Sequence, residues 1–210
     1  MSCACAESRH DVRVTVQESS LSLRAAKVVT EVLAPTVVLI AELIAVALIS
    51  AGPVKGLGWA ALVMCSVLLP FGFVLWGART GRWDGHHVRG REHRTLPLLV
   101  GLGSVLAGLV LLVVLDGPRN LIAVEVAVVV GIIVTVVVTR WWKISVHAGV
   151  AAGAVTNLVQ ILGPWWLLLV PLVVLVGWSR VRLTDHTAAQ VTVGAVVNAA
   201  IAGTVFALVS

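Results

Sequence analysis

Long apolar runs separated by short polar segments fill the chain from residue 33 onwards. A membrane-spanning helix needs roughly 20 mostly apolar residues. Seven segments approach or reach that length, namely residues 33–50, 56–75, 96–115, 120–139, 147–162, 165–178 and 188–208. The fifth and sixth are short, and the Gly163-Pro164 pair between them predicts either a tight turn or a kink. The pattern predicts an all-α, polytopic transmembrane helical bundle with six or seven spans.

Composition supports a membrane location. The chain is 59% hydrophobic and 12% charged, with a mean hydropathy of +1.04, which is far from the composition of an ordinary soluble domain. A transmembrane barrel would instead show alternating polarity over about ten residues, whereas a stretch such as LLLVPLVVLVGW is apolar throughout. The expected class is therefore a helical, multi-pass integral membrane protein.

The first 31 residues differ from the rest of the chain. They are polar and mixed in charge, and no apolar core precedes residue 33, so a cleavable signal peptide is not expected. Residues 21–38 have apolar positions at helical spacing, which fits an amphipathic helix on the membrane surface. A partly disordered tail is the equal alternative. We divide the chain into a polar or amphipathic segment, 1–31, and a transmembrane domain, 32–210.

Basic residues are distributed unequally between the two faces that seven spans would create. One face receives 13 of the 15 Lys and Arg residues, and the positive-inside rule then predicts that this face is cytoplasmic and that the protein resides in the cell membrane. A site for an anion would also collect cations. The bias remains when the four most site-like cations are removed, which are Arg91, Arg94, Lys143 and Arg180.

Three polar segments fall on the basic face: residues 77–99, 143–147 and 179–190. An even number of spans separates each pair, so the three segments should meet at the same depth. Lys143, Ser145 and His147 stand at the predicted start of the fifth helix, where unpaired backbone N–H groups and the helix dipole favour an anion. Further along that helix, Asn157 and Gln160 are predicted to form interhelical hydrogen bonds.

Two of these segments resemble signatures of the type 2 phosphatidic acid phosphatase superfamily. In the third segment, Ser179-Arg180 is followed by five residues and then His186, which matches one signature in spacing. In the second, KISVH keeps Ser145 and His147 at the spacing of a Pro-Ser-Gly-His signature. A further signature, Lys followed by six residues and Arg-Pro, is matched weakly in the first segment, where His87 replaces the lysine.

The resemblance implies a fold with the core of that superfamily and assigns a role to each matched residue. His186 is the expected nucleophile, which attacks phosphorus to form a phosphohistidine, and His147 is the expected general acid. The resemblance implies that Ser145 and Arg180 hold phosphate oxygens. Arg91, Arg94 and Lys143 are expected to do the same because of their positions beside these motifs. Superfamily members place an aspartate four residues after the nucleophile, whereas this chain has Gln190, whose amide oxygen is expected to accept the ring N–H of His186.

The expected activity is metal-independent hydrolysis of a lipid phosphate monoester or diphosphate, either phosphatidate-like or polyprenyl. A phosphate monoester carries about two negative charges, and in the absence of a visible cluster of metal ligands arginine has to neutralise them. No cofactor, metal or nucleic acid partner is expected; the partners are the lipid phosphate and the bilayer, and the oligomeric state is open. Since Gln190 lacks the charge of aspartate, the alternative is a catalytically weakened relative that binds or transports a lipid phosphate.

Two other families of membrane enzyme are disfavoured. The DGHHVR stretch that begins at Asp84 imitates the start of the CDP-alcohol phosphotransferase signature, but the further aspartates of that signature are missing, because the next aspartate is Asp116. Prenyltransferases of the UbiA type need paired aspartate-rich motifs, whereas the aspartates of this chain stand alone.

Overall fold

The computed structural model describes residues 20–81 and 95–210, and within them every regular element is a helix. We number them α1 (20–32), α2 (Pro35–Arg79), α3 (Thr95–Val114), α4 (Arg119–Thr139), α5 (Val146–Leu162), α6 (Val170–Arg182) and α7 (Ala188–Val209), with a 3₁₀ helix, Pro164–Leu169, between α5 and α6. The prediction of an all-helical chain is confirmed for this part of the protein.

Four of the described helices are long and apolar enough to cross a membrane. They are Pro35–Arg79, Arg119–Thr139, the continuous stretch Pro164–Arg182, and Ala188–Val209. Two further apolar helices, Leu99–Val114 and Val146–Leu162, are shorter. These lengths and compositions are consistent with an integral membrane protein.

Helix α2 bends sharply at Gly52. The backbone there has φ 73° and ψ 173°, which is the positive-φ region that glycine adopts without steric cost. Past the bend, a Cβ built on Gly56 would lie 2.7 Å from the carbonyl oxygen of Ala47, so the chain runs back against its own earlier turns. Side chains from both halves, including Leu43 and Val63, belong to one buried core cluster.

The Gly163-Pro164 pair forms a turn. Helix α5 ends at Leu162, Gly163 has a φ of 96°, and the 3₁₀ helix begins at Pro164. That helix and α6 both pack back against α5. The turn interpretation is therefore confirmed over the kink.

Hydrogen bonds between helices identify the loops at each end of the bundle. Close to the end of α6, Thr30 Oγ1 and Ser179 Oγ lie 3.0 Å apart, which attaches α1 to the bundle. At the opposite end, Asn120 Nδ2 donates to Ser50 Oγ at 3.2 Å, which places the start of α4 beside the bend in α2. The bundle thus has one end formed by α1 and the α6–α7 loop, and another formed by the α2 bend and the α3–α4 loop.

The start of α5 packs directly against α7. A Cβ built on Gly194 would lie 2.7 Å from the carbonyl oxygen of Ser145 and 3.1 Å from its backbone nitrogen. Both of those atoms belong to the backbone, so no side chain could move aside. Glycine at position 194 permits this approach.

We expect Gly194→Ala to lower the free energy of unfolding by about 1–3 kcal/mol, the usual cost of overpacking. The matched control is Gly58→Ala, because a Cβ at Gly58 meets no atom within 4 Å and alanine favours a helix more than glycine does. Unfolding of both variants in detergent would be followed by circular dichroism. Equal stability of the two variants would contradict the close packing at Gly194.

Candidate functional site

Ser145 lies where the second polar segment meets α7. It is fully buried and is the N-cap of α5, where its hydroxyl accepts the backbone N–H of Ala148 at 3.4 Å. Its own backbone N–H donates to the carbonyl oxygen of Gln190 at 3.2 Å. The second polar segment is therefore hydrogen-bonded to the start of α7.

A tight turn after α6 carries His186 back towards Arg180. Thr184 has a positive φ of 56°, and the backbone N–H groups of Asp185 and His186 both donate to the carbonyl oxygen of Arg180, at 3.1 and 3.3 Å. Arg180 is 2% exposed and His186 is 5% exposed. The two residues that carry the resemblance in the third segment are thus buried together in one turn.

Asp185 links the charged side chains of the second and third segments. Its carboxylate accepts from the Arg180 guanidinium at 2.9 Å, and its backbone carbonyl oxygen accepts from Lys143 Nζ at 2.8 Å. The structure therefore brings Lys143 and Arg180 to the same short loop. The carboxylate offsets the positive charge of Arg180.

Gln190 serves as a capping residue of α7. Its side-chain oxygen accepts the backbone N–H of Thr187 at 3.1 Å, and the Thr187 hydroxyl accepts the backbone N–H of Gln190 at 3.3 Å. This is a capping box. The amide oxygen that was expected to accept the ring N–H of His186 thus accepts from the backbone instead, because the first turn of α7 provides a donor nearby.

A cavity of about 600 Å³ opens between the helices and reaches this cluster. His147 and Arg180 line it; His186 lies in the same turn as Arg180, and Ser145 lies two residues before His147. Most of the remaining lining is apolar, and a pocket with apolar walls and few polar groups is typical of a site for a small molecule or a lipid.

The structure describes only the two ends of the first polar segment, residues 77–81 and 95–99. Arg91 and Arg94, which were assigned to phosphate binding by position, lie outside the described residues, as does His87. The site as described therefore consists of the second and third segments.

The cavity also contains polar residues that the sequence reasoning did not assign to a site. Glu42 of α2 and Glu125 of α4 are buried and line the cavity. Glu42 Oε1 accepts from Asn157 Nδ2 of α5 at 2.8 Å, which confirms the interhelical role predicted for Asn157. The signal was present in the sequence, since each glutamate is a single carboxylate within an apolar run, and such residues often have functions in membrane helices.

No family model, no curated protein and no solved structure matches the chain.

Proposed function

We propose that this protein hydrolyses a membrane lipid phosphate, as the resemblance of its second and third polar segments to the type 2 phosphatidic acid phosphatase superfamily implies. The substrate is a lipid phosphate monoester or diphosphate, with a phosphatidate-like or polyprenyl chain. The observation that carries the proposal is the junction of segments 143–147 and 179–190, which brings Lys143 to the loop that holds Arg180 and His186, while His147 lines the same cavity as Arg180.

The proposed reaction has two steps. An imidazole nitrogen of His186 attacks phosphorus, the bond from phosphorus to the leaving oxygen breaks, and His147 donates a proton to that oxygen. Water then attacks the phosphohistidine, with His147 accepting its proton, and releases inorganic phosphate. Arg180, Lys143 and Ser145, together with Arg91 and Arg94 of the first polar segment, hold the phosphoryl oxygens as charge moves during transfer.

The cavity supports a lipid as the substrate. His147 and Arg180 line it, and apolar side chains form much of its wall, so a headgroup beside His147 and Arg180 would leave the hydrocarbon chain among apolar residues. In this proposal, the bend at Gly52 and the turn at Gly163 raise the number of membrane crossings to seven, with the core of the superfamily formed by α4 to α7. The basic end of the bundle would face the cytoplasm by the positive-inside rule.

Loss of His186 should abolish turnover. We expect His186→Ala to release no phosphate from phosphatidate or from polyprenyl phosphates and diphosphates in metal-free buffer, because the nucleophile is missing. Thr184→Asn is the matched control in the same turn, since Thr184 has a positive φ of 56° that asparagine tolerates. Released phosphate would be measured with purified protein, and unchanged release by His186→Ala would refute the nucleophile assignment.

The same assay tests the alternative function, which the capping role of Gln190 favours. The amide oxygen of Gln190 accepts from the backbone N–H of Thr187, so Gln190 acts as a helix cap, and it is not the charged aspartate that superfamily members have at this position. Tight binding of a lipid phosphate by the wild-type protein without phosphate release would indicate that the protein binds or moves the lipid.

Replacement of Arg180 should slow turnover while leaving the fold intact. Arg180→Lys keeps a positive charge for Asp185 but loses the planar fork that pairs with phosphate oxygens. We expect kcat to fall by about 10²–10³, the loss seen when one transition-state donor is removed. Arg182→Lys is the control on the same helix, because Arg182 donates to Ser22 Oγ. Equal kcat values for the two variants would contradict the role of Arg180.

Membrane topology follows from seven crossings and a cytoplasmic site. We expect a reporter fused after Ser210 to lie outside the cell and one inserted after Arg140 to lie inside. Paired alkaline phosphatase and fluorescent protein fusions would measure both positions. Two fusions on the same side would contradict the number of crossings, and an inverted pair would contradict the cytoplasmic facing of the site.

A further inference from the structure

Two carboxylates lie in the apolar helices, apart from the cluster around His186. Glu42 is 4% exposed and Glu125 is 1% exposed, and both line the cavity. They lie within electrostatic reach of each other. Among residues 20–81 and 95–210, neither forms an ion pair. Buried carboxylates are normally neutralised by a proton, paired with a positive group or bound to a metal ion, so in its ionised form this pair calls for a positive partner.

The side-chain oxygen of Asn157 is a hydrogen-bond acceptor close to the carboxylate of Glu42. Asn157 Nδ2 donates to Glu42 Oε1 at 2.8 Å, and Ser66 Oγ donates to Glu125 Oε1 at 3.0 Å. Since Asn157 uses its amide nitrogen for Glu42, its side-chain oxygen remains as an acceptor. That oxygen is buried and has no hydrogen-bond partner within the described part of the chain.

Asn157 is 3% exposed and also lines the cavity. An unsatisfied buried polar oxygen is costly, and this one belongs to the same cavity as the two carboxylates. Three oxygen-bearing side chains, from α2, α4 and α5, are therefore available to one ligand that offers positive charge.

Further titratable groups line the cavity besides Glu42 and Glu125. Those within the described residues are Glu31, His147 and Arg180. Glu31 adds a further carboxylate, and Arg180 pairs with Asp185 at 2.9 Å. No lysine from the described helices lines the cavity, and Arg180 is paired with Asp185, so the described side chains do not supply a positive partner for Glu42 and Glu125.

The side-chain oxygens of Glu42, Glu125 and Asn157 restrict the kind of cation that could bind between them. Carboxylate and amide oxygens are hard donors, which suit hard cations rather than copper or zinc. Within the described ranges, no group of three or more His, Cys, Asp or Glu side chains is placed to hold a metal. Two carboxylates with one amide oxygen form a sparser set than Ca²⁺ usually takes, which is six to eight oxygens, and a monovalent ion needs less compensating charge.

We propose that Glu42, Glu125 and Asn157 form a binding site for a small monovalent cation of the Na⁺ class. The ion would neutralise negative charge in the apolar interior and link α2, α4 and α5 across the cavity. This site is separate from the proposed phosphatase chemistry, since it uses none of the residues assigned to phosphate transfer.

The first test uses the wild-type protein in detergent at mildly alkaline pH. We expect Na⁺ at about 100 times its Kd to raise Tm by roughly 5–10 °C relative to choline at equal ionic strength, because the ion binds only the folded state. Radiolabelled Na⁺ should bind to the same protein. An equal rise in Tm with K⁺, Na⁺ and choline, or no binding of radiolabelled Na⁺, would overturn the proposal, as would displacement of Na⁺ by lower concentrations of Ca²⁺ or Mg²⁺.

The second test uses variants of equal size. Glu42→Gln and Glu125→Gln keep a hydrogen-bond acceptor for Asn157 and Ser66 but remove the charge, and each should weaken Na⁺ binding at least tenfold. Asp116→Asn is the matched control, since Asp116 does not line the cavity and its φ of 52° suits asparagine. Wild-type affinity in either glutamine variant would overturn the proposal.

His186→Ala separates the two proposals. This variant should bind Na⁺ with wild-type affinity while it releases no phosphate. Failure of the phosphatase proposal would thus leave the cation site intact, and failure of Na⁺ binding in the wild-type protein would leave the phosphatase assay unaffected.

Discussion

The contact between the start of α5 and the first turns of α7 determines where the polar residues of this protein meet. Gly194 lets the backbone of Ser145 approach closely, and the N–H of Ser145 donates to the carbonyl oxygen of Gln190. Residues from the second and third polar segments then lie side by side. A bulkier residue at position 194 would separate the helices and, with them, the two segments that carry the proposed chemistry.

An ion pair explains why the charge of Arg180 is tolerated in a buried position. Arg180 is almost fully buried, and removing a charge from water is expensive unless it is paired and hydrogen-bonded. The Asp185 carboxylate supplies the pair, and the turn at Thr184 positions it. Lys143 binds the backbone of the same loop. In the proposed function, a phosphate entering this region would meet cations that are already held in place, which would reduce the reorganisation required during transfer.

The cavity connects this polar end with the carboxylates in the apolar interior. His147 and Arg180 line one part, and Glu42 and Glu125 line another. Groups of opposite charge thus line one cavity. Arg180 forms its ion pair with Asp185, and not with Glu42 or Glu125. This separation of charge suits the binding of an anion and a cation at different places in the same cavity.

The sequence was sufficient to predict that the described residues are helical, because runs of apolar residues in a membrane have to satisfy their backbone hydrogen bonds as helices. The number of membrane crossings stays a prediction. Motif spacing also placed Ser145, His147, Arg180 and His186 in two segments expected to meet, and the structure joins those segments. Tertiary structure decided the partners: Asp185 for Arg180, Thr187 for Gln190, and Asn157 for Glu42. These pairings depend on the rotation of each helix about its axis and on the local geometry of turns. Nearly uniform apolar sequences carry little information about that rotation, since every face of such a helix has similar side chains.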